Sequence, residues 1–245
     1  MTEAEWLRSA DPEAMLKLLK GKVGERKLRL FACACCRRIA HLLRDERSRI
    51  TVEIIERYAD GDATERRLTV ARIGTQALLN EMVGKVWDNY SIASEAGCTA
   101  RDAAGRCPEQ AAHDTVLRAA AALALETVGP CPFDTPDLVH HVTWRSAHRD
   151  AWQRACEDLC GLLREVVGNP FRPPDLSPLY LTWNDGTVPR IARAIYDERA
   201  FDRLPILADA LEDAGCSDAQ LLNHCRGGAV HVRGCWAVDL LLGKT

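Results

Sequence analysis

The sequence predicts an all-α protein, and three observations carry that prediction. The apolar residues, 47% of the chain, are mostly Ala and Leu, with aromatics at only 6%, a mixture that favours helix. Start signals recur, with Thr, Ser or Asp followed by Pro or by Glu/Gln three residues on, and Gly often follows the last apolar turn. Between these signals apolar residues fall three and four apart, the period of a helix with one buried face. The expected architecture is an irregular multi-helix bundle over residues 1–168, a proline-rich linker with a short extended segment over 169–186, and a smaller helical C-terminal unit over 187–245. An α-solenoid-like stack is the alternative, because paired short helices recur at both ends without a strict repeat.

Taken in order, Thr2 and Glu5 form a Thr-x-x-Glu capping box and Asp11-Pro12 is a second start, so two short helices open the chain. Gly21 and Gly24 interrupt. From Glu25 to Arg44, the residues Leu28, Phe31, Cys35, Ile39 and Leu42 mark a buried helical face. Ser48 is the expected cap of the next helix, which carries Val52 and Ile55 and ends at Asp60-Gly61-Asp62. A long helical region runs from Ala63 to Tyr90, with a break expected near Gly84, and Ala96 to Cys107 reads as a connection or a short helix.

Pro108 opens an Ala-rich helix to Val128, stopped by Gly129-Pro130-Cys131-Pro132, and Thr135-Pro136 starts a principal helix over Asp137 to Val167. The prolines between Gly168 and Asp175 cannot continue it, since they lack the N–H donor and clash with the preceding turn. Leu179 to Trp183 is the one strand-like run, closed by the turn signal Asn184-Asp185-Gly186. Thr187 then caps a helix from Val188 to Asp197. Another spans Leu204 to Ala214 with Gly215 just past its end, and Ser217 with Gln220 reads as a further capping box.

Charge and composition exclude several classes of function. A net charge of −3 gives no global attraction to nucleic acid or anionic lipid. The N-terminus is acidic and lacks the basic and apolar regions of a signal peptide, and no apolar run approaches the roughly 20 residues of a membrane span. A cytoplasmic protein without membrane contact is expected, its eleven cysteines kept as thiols or metal ligands. There is no P-loop, GxSxG elbow, Rossmann glycine pattern or HExxH. His148-Arg149-Asp150 lacks every other part of a kinase site. No catalytic residue is assigned.

The C-terminal text carries the most specific chemistry. Arg226, Gly227, Gly228, His231, Arg233 and Trp236 combine planar cationic forks, backbone donors and an aromatic face, which suits an anion or a peptide. The bland alternative is a tight turn whose arginines pair with Asp209, Glu212 and Asp213. Cys216, His224, Cys225, His231 and Cys235 offer thiolate and imidazole ligands for zinc, with His231 and Cys235 spaced to share one helical turn, although the spacing matches no standard finger.

Further upstream, Cys33, Cys35 and Cys36 lie inside a helix among apolar residues, where core burial is expected. His140, His141 and His148, with Cys156 and Cys160, follow one later helix without a recognised ligand spacing. Lys20, Lys22, Arg26, Lys27, Arg29, Arg37, Arg38, Arg44, Arg47 and Arg49 face only Glu25, Asp45 and Glu46 locally. This basic helix over 20–49, centred on Lys27, Arg29, Arg37 and Arg38, is the candidate surface for nucleic acid.

The segments Val188 to Arg199, Leu207 to Cys216 and His231 to Trp236, with Arg26 to Arg38, resemble a paralogue-rich bacterial family. The resemblance implies a recurrent bacterial module and, as the family has no established activity, assigns no role to any residue. The function expected from the sequence is a non-catalytic protein-interaction or regulatory module without a cofactor. The alternatives are a nucleic-acid-binding protein and a metal-dependent protein that uses zinc at the C-terminal cluster.

Overall fold

A computed structural model gives the fold over residues 1–83, 92–129, 138–174, 176–228 and 230–244, with side chains described for all of these except 82–83, 92–94 and 138–141. The expected break near Gly84, the stop at Pro130-Cys131-Pro132, the cap at Thr135-Pro136 and the linker residue Asp175 lie outside the described residues. Within them the protein is an all-α multi-helix bundle with no strand. Its helices are α1 (Glu3–Arg8), α2 (Pro12–Leu19), α3 (Glu25–Arg38), α4 (Glu46–Ala59), α5 (Glu65–Val83), α6 (Ile92–Ala103), α7 (Pro108–Val128), α8 (Leu138–Val167), α9 (Pro178–Glu198), α10 (Leu204–Asp213), α11 (Ala219–Arg226) and α12 (Trp236–Leu241).

The chain forms two compact units, one of Met1 with Arg8–Gly161 and one of Thr2–Leu7 with Leu162–Thr245. The division therefore falls inside α8, ahead of the proline-rich segment, and the first residues of the chain belong with the last. Trp6 is the physical reason. Its side chain is fully buried, its indole N–H donates to the Gly168 carbonyl at 3.2 Å, and Arg164 donates to the Trp6 carbonyl at 3.2 Å.

The first unit is organised around α3, in which every residue from Leu28 to Cys36 is buried. A helix covered on all sides belongs at the centre of a bundle, and α4, α6 and α7 all pack on it. Ala-rich α7 approaches closely through Ala112, Ala119 and Ala120, all fully buried. The thiols of Cys33, Cys35 and Cys36 are part of this core, and burial pushes each of them up from its ordinary value.

Several local expectations hold. The capping box is made, with the Thr2 amide donating to Glu5 Oε2 at 2.7 Å and the Glu5 amide to Thr2 Oγ1 at 3.3 Å. Asp11 accepts from the Ala14 amide at 3.0 Å, and α7 starts at Pro108. Three helix ends differ. The α3 helix stops at Arg38 and gives way to a single 3₁₀ turn over Ala40–Leu42. Asp45, rather than Ser48, caps α4, accepting from the Arg47 amide at 2.8 Å, and Ser48 is buried inside the helix. Asp218, rather than Ser217, caps α11, accepting from the Leu221 amide at 3.0 Å. In both cases an acidic side chain close to the expected cap takes the amide, and its charge also suits the positive end of the helix dipole.

The second unit corrects the strand. Leu179 to Trp183 is the first part of α9, started by Ser177, whose hydroxyl accepts from the Leu179 amide at 3.4 Å, and by Pro178 at the first helical position. The cap and the proline outweigh the β preference of a short apolar run. The turn read at Asn184-Asp185-Gly186 is real. All three residues have positive φ, between 47° and 75°, and the Thr187 hydroxyl donates back to the Asn184 carbonyl at 2.7 Å, a bond across the turn in place of the amide-accepting cap expected of it. Helices α9 and α10, α10 and α11, and α9 and α12 pack in pairs around Ile195, Tyr196, Leu204, Leu207, Leu211 and Trp236.

Candidate metal centre

Three stretches of the second unit bring four side chains that could hold a metal ion to one point. Glu165 sits near the C-terminus of α8, between the buried residues Leu163 and Val166. His224 lies in the last turn of α11, which ends at Gly227. The chain then turns back, with Gly234 at φ +93° and the Cys235 amide donating to the Val232 carbonyl at 2.9 Å. This turn carries His231 and leaves Cys235 as the residue that precedes α12. His231 and Cys235 are thus brought together by a turn, and not along the single helical turn that their spacing allows.

One ligand atom from each of Glu165, His224, His231 and Cys235 lies within 4.8 Å of the others. His224 Nε2 is 3.2 Å from Cys235 Sγ and 3.5 Å from Glu165 Oε2, and His231 Nδ1 is 3.0 Å from Glu165 Oε1. Tetrahedral zinc with bonds of about 2.0–2.3 Å sets its ligand atoms about 3.3–3.8 Å apart, so small shifts would complete a coordination shell. The site is closed. The side chains of Glu165 and His231 are 4% and 7% exposed, His224 is 15% exposed, and Cys235 is fully buried. His231 Nδ1 is the nitrogen that faces the cluster, and its Nε2 is buried without a hydrogen-bond partner.

The electrostatics divide the two imidazoles. Burial holds His224 below the ordinary histidine value, outweighing Glu165, and His231 lowers it further. At His231 burial also acts downward, but the hydrogen bond and charge of Glu165 and the Gly227 carbonyl raise the group overall. Burial and the Glu165 charge push Cys235 well up, against the opposing amides of Val238 and Ala237.

The structure divides the residues read from sequence as zinc ligands. His224, His231 and Cys235 converge, whereas Cys216 and Cys225 belong to the apolar core of the unit, and burial raises Cys225 to about 12. Glu165 takes the place those two were expected to fill. Its sequence signal is a carboxylate set between apolar residues on the buried face of a helix, which helical spacing alone does not distinguish from an ordinary surface acid.

The anion or peptide set is dispersed. Arg226 donates to Glu212 and to Asp209, each at 2.9 Å, the intramolecular pairing that was the bland alternative. Arg233 stacks over the Tyr196 ring at 4.8 Å and reaches its hydroxyl at 3.3 Å. Gly227 ends α11, and a Cβ there would lie 3.1 Å from the Asn223 carbonyl. Gly228 is exposed, and Trp236 packs beside His224.

The basic helix is also committed internally. Arg29 is 2% exposed and donates to Glu25 at 2.7 Å and to the Gly105 carbonyl at 3.0 Å. Arg37 forms a two-pronged pair with buried Glu56 at 3.1 and 3.0 Å, and Arg38 reaches Asp158 at 3.0 Å. Lys27 is half-buried. Arg37→Ala is expected to lower stability by about 2 kcal/mol, because it removes the two-pronged partner of a buried carboxylate, measured by urea unfolding against Glu56→Gln/Arg37→Ala, in which the buried charge is absent. A cleft of about 450 Å³ in the first unit, lined by Glu95, Arg101, Asp102, Arg118 and Trp152 among others, is likewise neutralised from within. Arg118 pairs with Glu95 at 3.1 Å and Asp102 at 3.3 Å. In the later helix of α8, His148 stacks on Trp144 with centroids 4.8 Å apart and Cys156 and Cys160 are buried. The side chains of His140 and His141 lie outside the described residues.

Fold and cluster together define the class as an all-α protein of two units, with a partly buried His/His/Cys/Glu group in the second. No family model, curated protein or solved structure matches the chain.

Proposed function

We propose that this is a non-catalytic, metal-dependent helical module whose second unit is clasped by one zinc ion, held by Glu165, His224, His231 and Cys235. The observation that carries the reading is the convergence of four donors, Glu165 and Cys235 buried and the two histidines partly so, from three separate stretches of chain. Two imidazoles, one thiolate and one carboxylate suit a borderline-soft ion that accepts tetrahedral geometry. Four protein donors in a closed site leave no position for a substrate, which is the arrangement of a structural rather than a catalytic zinc. The clasp has a clear task. Helices α11 and α12 have eight and six residues, too short to be stable alone, and a shared ion ties the end of one and the start of the other to α8.

The test is elemental analysis of reduced protein purified without chelator and then offered zinc. One zinc per chain is expected, and none after reconstitution would overturn the proposal. Zinc binding must displace protons from Cys235 and, where it is charged, from His231, both raised above their ordinary values. Apparent affinity is therefore expected to fall as the pH falls, by at least about tenfold per unit between about pH 8 and pH 6, measured by competition with a chromophoric chelator. A pH-independent affinity would exclude the thiol as a ligand.

A further inference from the structure

The metal reading makes the position of Trp236 informative. An indole N–H can only donate, and Trp236 Nε1 lies 3.1 Å from His224 Nδ1. His224 Nδ1 therefore accepts with its lone pair, and the ring proton sits on Nε2, which faces Cys235 Sγ at 3.2 Å and Glu165 Oε2 at 3.5 Å. In this arrangement neither nitrogen of His224 has a free lone pair.

An ion taken through Nε2 moves the ring proton to Nδ1 and sets two N–H groups against each other. An ion taken through Nδ1 uses the lone pair that the indole occupies. By either route the Trp236 N–H has to leave His224. Its ring is tilted 51° to the imidazole with centroids 4.7 Å apart, and it covers Gly168 so closely that a Cβ there would lie 3.1 Å from Trp236 Cγ. Trp236 is also the first residue of α12, so release of the indole is felt at the start of that helix.

We infer that Trp236 gates the zinc site: its indole N–H holds His224 in a form that cannot ligate, and loading of the ion is coupled to displacement of the indole from His224. This inference rests on the metal reading above and adds a competitor to it. A Trp that merely fills the core would support the ligands, and its truncation would weaken metal binding or leave it unchanged.

The deciding measurement compares zinc affinity in the reduced full-length protein and in Trp236→Phe, which keeps an aromatic ring and removes the donor. Phe is expected to tighten zinc binding by about five- to tenfold, the worth of one hydrogen bond released from competition. Equal or weaker affinity in a folded Phe variant overturns the gate. Independently of that variant, the indole ¹⁵N–¹H resonance of Trp236 in the wild type, assigned through its proximity to His224, is expected to shift on stoichiometric zinc, and an unmoved resonance also overturns it. A wild-type protein that binds no zinc rejects the metal reading and the gate together, whereas zinc binding without the Phe effect or the indole shift rejects the gate alone.

Discussion

Cys235→Ser is expected to abolish stoichiometric zinc binding, with affinity reduced by at least about 100-fold, while Cys225→Ala and Cys216→Ala retain one zinc per chain. All three thiols are buried in the same unit and lie in the same stretch of text, so burial and proximity in sequence do not separate them. Geometry does. Only Cys235 stands within reach of His224, at 3.2 Å, while Cys216 and Cys225 are surrounded by core residues such as Leu211 and Leu221. Ala keeps those two sites apolar and adds no polar group in need of a partner. Zinc analysis of the three variants, each checked for helical content, tests the ligand set directly. Loss of zinc from Cys225→Ala with the fold intact would show that the set has been misassigned.

The second large effect concerns the opposite end of the chain. Trp6→Ala is expected to destabilise the second unit by about 3–5 kcal/mol, the usual cost of emptying a fully buried aromatic site. Trp6→Phe removes the indole donor to Gly168 but keeps most of the volume, and its cost should be closer to about 1–2 kcal/mol. The measurement is urea unfolding followed by a signal from the second unit, such as Trp236 fluorescence, with zinc content held equal. An Ala variant within about 1 kcal/mol of the wild type would mean that the N-terminal residues do not belong to the folded second unit.

Much of the fold was legible because helix starts are decided within a few residues. The Thr2–Glu5 box, Asp11 with Pro12, and Pro108 each satisfy orphan amides locally, so their text and their structure agree. The misread elements are equally local but more finely balanced. Asp45 and Asp218 stand close to hydroxyl caps and displace them. Leu179 to Trp183 has the composition of a strand, yet a serine cap and a proline at the first turn suffice to wind it.

The site was legible only in part. His224, His231 and Cys235 stand out as unusual residues near one another in sequence, but their fourth companion is sixty-six positions from His231. The surroundings of the basic helix were legible only in part for the same reason. Arg26, Arg37, Arg38 and Arg47 pair with Asp60, Glu56, Asp158 and Glu81, and a carboxylate brought near by folding leaves no mark beside the arginine it meets.

By itself, then, the sequence determined the all-α class, most helix starts, the turn at Asn184-Asp185-Gly186 and the burial of the Cys33 to Cys36 thiols, because capping, backbone conformation and apolar period act over a few residues. Only the tertiary structure decided that Glu165 joins His224, His231 and Cys235, that Trp6 belongs to the second unit, and that the arginines of α3 face carboxylates and carbonyls of their own chain. Each of these depends on distances between segments far apart in the chain, and only the packed fold sets such distances.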